Sequence, residues 1–178
     1  MSRLELLNAS CADQVADAVV NAANDGLQEG GGICGVIFSK AGSAELKAAC
    51  EKYKTPLNAG DAVITPSFNM TNVKAIIHAV GPDFRRTPDA FKELYEAYYN
   101  SLAVLKENGL HSISFPLISA GIFGGRLQKP AAESTKQCLR AYKKFTEDLP
   151  DYDVDVKLCA FSSREMADAK AVCDEFGM

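Results

Sequence analysis

The sequence predicts an α/β protein, a three-layer α/β/α sandwich whose mixed sheet is mostly parallel. Three observations carry this. Short apolar runs rich in β-formers alternate with stretches of helical periodicity along the whole chain, the pattern that places helices on both faces of a parallel sheet. The run Ala-Ile-Ile-His-Ala-Val at Ala75–Val80 is apolar enough to be buried on both faces, as a central parallel strand is. Glycine-rich loops twice join a strand to a helix, first at Gly30–Gly32 and again within Ser119–Gly125.

The elements follow in order. Arg3 to Leu7 reads as a first strand, and Asn8 to Asp17 as a polar connection to a short buried strand, Ala18 to Val20, that runs into Asn21. After the first glycine loop, Ile33, Val36, Ile37, Lys40 and Ala41 recur at helical spacing, and Gly42 closes that helix. Ser43 is placed to cap the next, with Leu46, Ala49, Cys50 and Tyr53 on one face. Asp61–Pro66 and Lys74–Val80 are strands on either side of a Ser-Phe-Asn-Met-Thr-Asn turn. Thr87-Pro88 predicts the start of a long amphipathic helix through Phe91, Leu94, Tyr98, Leu102 and Leu105, and Asn108-Gly109 stops it. Ser112–Leu117 is a strand leading into the second glycine loop, and Pro130 begins the helix after it. Asp153–Phe161 is the last strand, and Ser162-Ser163-Arg164-Glu165 is a capping box for a final helix.

The 178 residues, 47% hydrophobic and 24% charged, suit one globular domain. No apolar run approaches the roughly 20 residues that span a bilayer, and the first residues lack a signal-peptide core, so a cytoplasmic protein is expected. The six cysteines are scattered without a C-x-x-C pair, which indicates neither a zinc site nor a disulfide framework. Five read as small core residues. Cys34, at a helix start, is the exception, because such a position lowers a thiol's pKa. A net charge of -4 argues against nonspecific binding to a nucleic-acid backbone. His78 and His111 read as hydrogen-bonded structural residues.

Both loops suit a phosphate. Glycine allows a ligand to approach the backbone, and the unpaired N–H groups and dipole of a helix start favour an anion. A glycine run before a helix also serves as a plain turn, so the first loop alone leaves both readings open. Two such loops at the carboxyl ends of strands, where ligands of open α/β sheets bind, suit a ligand with two phosphates. No G-x-G-x-x-G follows the first strand, no P-loop sequence is present, and no serine lies in a G-x-S-x-G elbow.

Val-Val-Asn-Ala-Ala-Asn, then Gly-Gly-Gly and a helix, Ile-Ile-His-Ala-Val-Gly-Pro, and Phe-Pro-Leu-Ile-Ser-Ala-Gly-Ile-Phe-Gly together resemble a macrodomain over nearly the whole chain. The similarity is greatest to the branch that includes mono-ADP-ribosyl hydrolases and O-acetyl-ADP-ribose deacetylases. The resemblance implies ADP-ribose, free or on a protein, as ligand, with no cofactor or metal and a monomeric chain. It implies that Gly30, Gly31, Gly32 and Ile33 on one side, and Ser119, Ala120, Gly121, Ile122 and Phe123 on the other, hold the diphosphate. Asn24 is then the partner of the distal ribose, Phe123 packs on that sugar, and Phe161 lies against adenine. Ser10, Cys11, Asn21 and Ala23 complete the expected binding set.

Two positions depart from the family. The aspartate that commonly accepts from the adenine amine is Ser10 here, with Asp13 the substitute if the loop is displaced. The aspartate that many hydrolases carry two residues after the glycine loop is Cys34, so Asn24 and Cys34 are the candidate catalytic residues. The readings are a hydrolase of the ester at the distal ribose, a non-catalytic ADP-ribose reader, and a phosphatase acting on a phosphorylated ADP-ribose or related nucleotide.

Overall fold

The computed structural model describes residues 1–178. The strands are β1 (Arg3–Asn8), β2 (Ala18–Ala23), β3 (Ala62–Pro66), β4 (Ala75–Val80), β5 (Ser112–Pro116) and β6 (Asp155–Ala160). The helices are α1 (Gly32–Ala41), α2 (Ser43–Cys50), α3 (Phe91–Glu107), α4 (Pro130–Asp148) and α5 (Ser163–Glu175). One sheet has the order β1-β6-β5-β2-β4-β3, parallel throughout except for β3. That edge strand runs antiparallel to β4 because the short connection between them cannot make the crossover a parallel pair needs.

Period-two alternation divides the core between the faces of the sheet. Ala18, Val20, Ile77, Phe115 and Leu158 pack with Leu94, Tyr98, Leu102 and Phe145 of α3 and α4. Val19, Ala23, Ile76 and Val80 pack against Ile37, Phe38 and Leu46 of α1 and α2 on the other face. Each fully buried large side chain contributes about 1.5–3 kcal/mol. Asn21 and His78 point to the second face as well, which puts two polar groups inside an apolar layer.

The sheet opens between β2 and β5. β2 pairs with β4 along its whole length, from Ala18 opposite Ala75 to Ala23 opposite Val80, but with β5 only at Ala18 and Val19. Asp17 holds the start of this seam, accepting from the backbone N–H groups of His111 at 2.8 Å and Ser112 at 3.2 Å. Beyond Val19 the strands part. The chain leaving β2 enters α1 on one face and the chain leaving β5 enters α4 on the other, so a crevice forms at the carboxyl edge of the sheet.

Three local expectations are corrected. Ser43 is the first residue of α2, not its cap: Gly42, at φ 108°, holds the cap position, and the Ser43 hydroxyl donates to Glu29 instead. Tyr53 lies beyond the end of α2, and its hydroxyl donates to the Ile64 carbonyl of β3. α3 starts at Phe91 and not at Pro88, because the Asp83 carboxylate binds the Arg85 N–H and guanidinium and the Asp83 carbonyl accepts from Arg86 and Thr87, winding these residues into turns.

Candidate functional site

After β2, the Asn24 side chain closes a loop on itself. Its Nδ2 donates to the Gln28 carbonyl at 2.8 Å and its Oδ1 accepts from the Gln28 N–H at 2.9 Å. A primary amide has a second hydrogen and a second lone pair, so Asn24 can still meet a ligand while it shapes the loop. Gly32 has φ 57°, a conformation that favours glycine, and Gly31 caps α1 with no atom within 4 Å of where its Cβ would stand. The N–H groups of Gly31 through Cys34 donate to no acceptor in the protein, while that of Gly30 is turned toward the Cys34 thiol.

The loop after β5 is held from beneath. The Tyr98 hydroxyl accepts from the Ile118 N–H at 2.9 Å and lies 2.6 Å from Ser134 Oγ, which donates to the Ile118 carbonyl. Ser119 adopts φ 59°, a strained value for a non-glycine residue, and its hydroxyl donates to the Pro82 carbonyl at 2.7 Å. Strain of this kind persists only where the surroundings over-determine it, as they do here. The Phe84 N–H binds the Phe123 carbonyl, and Arg85 lies 5.5 Å from the centre of the Phe123 ring. The N–H groups of Ser119, Gly121, Ile122 and Phe123 have no acceptor in the protein, and Gly121, like Gly31, faces open space.

Between the loops lies a cleft of about 670 Å³, within the usual range for a small-molecule site. No lysine or arginine lines it, so an anion held there depends on backbone N–H groups and the dipole of α1. Phe161 stands 78% exposed at one end, an unusual position for a large aromatic unless its face has a use. The turn that presents it is anchored by Asn8, whose Nδ2 donates to the Ala160 carbonyl at 2.9 Å.

Of the residues singled out from the sequence, the cleft gathers Ser10, Cys11, Ala23, Asn24, Gly30 to Cys34, Ser119 to Phe123 and Phe161. Asn21 does not line it. It is buried below, its Nδ2 3.1 Å from His78 Nδ1 and 3.7 Å from Cys34 Sγ, while His78 Nε2 lies 2.9 Å from Thr65 Oγ1. Burial pulls the His78 imidazolium down to about 4, so the ring is neutral at pH 7. Asp13 lies outside the cleft and pairs with Lys40 at 2.7 Å, which removes it as a substitute for Ser10. Ser10 caps the turn at Cys11–Asp13, accepting from the Ala12 N–H at 3.4 Å.

Cys34 is only 5% exposed, and burial pushes its thiol up despite the hydrogen bonds from Gly30 and Asn21 that favour the thiolate. Desolvation outweighs the helix start, and the group at this position is a neutral thiol at pH 7. The sequence reading missed Ala9, Ala22, Val36, Pro116, Leu117, Cys159 and Glu165 as lining residues. Position at a strand's carboxyl end would have found the first two. Glu165 was hidden by its other role, because its Oε1 accepts from the Ser162 N–H in the capping box of α5.

A crevice at a parallel sheet's carboxyl edge, flanked by two loops of free N–H groups, belongs to a defined class: residues 20–138 match the family model described as Macro domain, and the chain belongs to that family. Over 147 residues it is 37% identical to the O-acetyl-ADP-ribose deacetylase of Salmonella typhimurium, covering 81% of this chain and 79% of that protein. The Oceanobacillus iheyensis macrodomain with ADP superimposes with a TM-score of 0.87 at 32% identity, over 98% of this chain and 92% of that one. The Trypanosoma brucei macrodomain in complex with ADP-ribose gives 0.82 at 27% identity, over 96% and 68%.

Proposed function

We propose that the cleft binds ADP-ribose and that the protein hydrolyses the ester at its distal ribose, in O-acetyl-ADP-ribose or in proteins mono-ADP-ribosylated on Asp or Glu. The observation that carries the reading is the pair of opposed loops whose N–H groups lack acceptors, in a cleft without a basic side chain. Such a site holds a diphosphate by fixed donors that need no reorganisation. The adenine then lies against Phe161, and the distal ribose reaches Asn24, with Phe123 against the sugar.

In this reading the protein contributes position more than proton transfer. Cys34 is a neutral thiol and no carboxylate lines the Asn24 end, so the water is oriented by the substrate's own phosphate and by Asn24. The water oxygen bonds to the acyl carbon, the ester C–O bond breaks, the acid departs, and the ribose oxygen takes a proton. Holding the reactants at attack distance can supply several kcal/mol of the barrier. A second reading, a non-catalytic reader of ADP-ribose, is favoured by the same neutral Cys34. Incubation with O-acetyl-ADP-ribose and with a mono-ADP-ribosylated acidic protein decides between them: acetate or ADP-ribose release supports the hydrolase, and tight binding without release supports the reader.

A further inference from the structure

The cleft carries one charged side chain, and its sign is opposite to what a diphosphate would attract. Glu165 lies one turn after Phe161, at the third position of α5. Its Oε1 is fixed by the Ser162 N–H at 3.2 Å, and the Ser162 hydroxyl accepts in return from the Glu165 N–H at 3.1 Å. Its Oε2 enters no hydrogen bond or ion pair within the protein. The turn is held further by Asn8, which donates to the carbonyls of Ala160 and Phe161. An oriented carboxylate with one free oxygen thus lines the same cleft as the exposed Phe161, both of them after β6 and two strands across the sheet from β2 and Asn24.

A carboxylate only accepts hydrogen bonds, and in an anion-binding cleft it is compatible with the part of the ligand that carries N–H groups and no charge. We infer that Glu165 reads the base: with the purine ring on Phe161, its Oε2 accepts from the exocyclic amino group and selects adenine. This rests on the proposed reading of the cleft as an ADP-ribose site. The bond is charge-assisted, and such bonds are about twice as strong as neutral ones. Ser10, another polar side chain of the cleft, accepts from the Ala12 N–H at 3.4 Å, and its remaining lone pair offers only a neutral contact.

Titration calorimetry on wild type, Glu165→Gln and Glu165→Ala, each with ADP-ribose and with the analogue whose purine lacks the 6-amino group, tests this. Glutamine also completes a capping box, so the Gln variant keeps α5 intact, and melting temperatures verify folding of both. Wild type is expected to bind ADP-ribose about tenfold more tightly than the analogue, about 1.4 kcal/mol. The ratio should fall to about one in both variants, because in Glu165→Gln the single amide oxygen is held by the Ser162 N–H and the nitrogen that takes the place of Oε2 is a donor, with analogue affinity unchanged throughout. A tenfold ratio retained in folded Glu165→Ala overturns the assignment, and its loss in Ser10→Ala instead transfers the role to Ser10. If wild type binds neither ligand, the reading of the cleft itself has failed, and the inference falls with it.

Discussion

Lowering the pH from 7.5 to 5.5 should destabilise the protein through His78, by an amount that follows from its surroundings. The ring is fully buried between Asn21 and Thr65, and no acidic group faces it to balance a charge. Its folded-state value is about 4, against about 6.5 when exposed in the unfolded chain. Because the folded value is the lower one, the unfolded chain takes up the proton first. Stability is therefore complete above pH 7 and is lost as pH falls through 6.5 toward 4. The linkage relation gives a loss of about 1.4 kcal/mol at pH 5.5 and about 3 kcal/mol by pH 4. Urea unfolding at pH 7.5, 6.5 and 5.5 measures it, with His78→Gln as the comparison. The variant is less stable at every pH, because a buried hydrogen-bonding chain is broken, but it lacks this pH dependence between 7.5 and 5.5. Equal pH slopes for wild type and variant would refute the argument that His78 is held neutral.

Other outcomes follow from the loops. Gly31→Glu or Gly121→Glu should abolish ADP-ribose binding, a loss of roughly 3 kcal/mol or more and over a hundredfold, while melting is little changed because each Cβ points into open space. Calorimetry with circular dichroism checks both. Asn24→Ala should lower kcat much more than it weakens ADP-ribose binding, since positioning counts most in the transition state, and steady-state kinetics beside titration separates the two. Cys34→Ala should change turnover by less than about tenfold, because a neutral thiol gives no general base; a loss of several hundredfold would show that it does. Cys34→Asp should preserve or raise turnover in the same assay.

What could be read from the sequence was whatever is written locally. The apolar run of β4, the glycines before α1 and the Ser162–Glu165 box each state their geometry within a few residues, and the structure has them as expected. The start of α3 was misplaced because the Asp83 carboxylate competes for the backbone with the Thr87-Pro88 signal. Strand order was out of reach, since the insertion of β6 between β1 and β5 joins residues from the two ends of the chain. The same holds within the site. That Asn24 clasps Gln28, that Asn21 lies under the cleft, and that burial outweighs the helix start at Cys34 all depend on packing between distant segments. Ser119 shows no local sign of its left-handed backbone, which is imposed through Pro82 and Tyr98.

The central claim is that two opposed backbone cradles together hold a diphosphate, and calorimetry of the wild-type protein with ADP-ribose and with AMP tests it most directly. ADP-ribose should give measurable heat and raise the melting temperature in proportion to ln(1 + [L]/Kd), and AMP, with one phosphate, should do both more weakly. Equal affinity for the two ligands, or neither heat nor a melting shift at millimolar ADP-ribose, would contradict it.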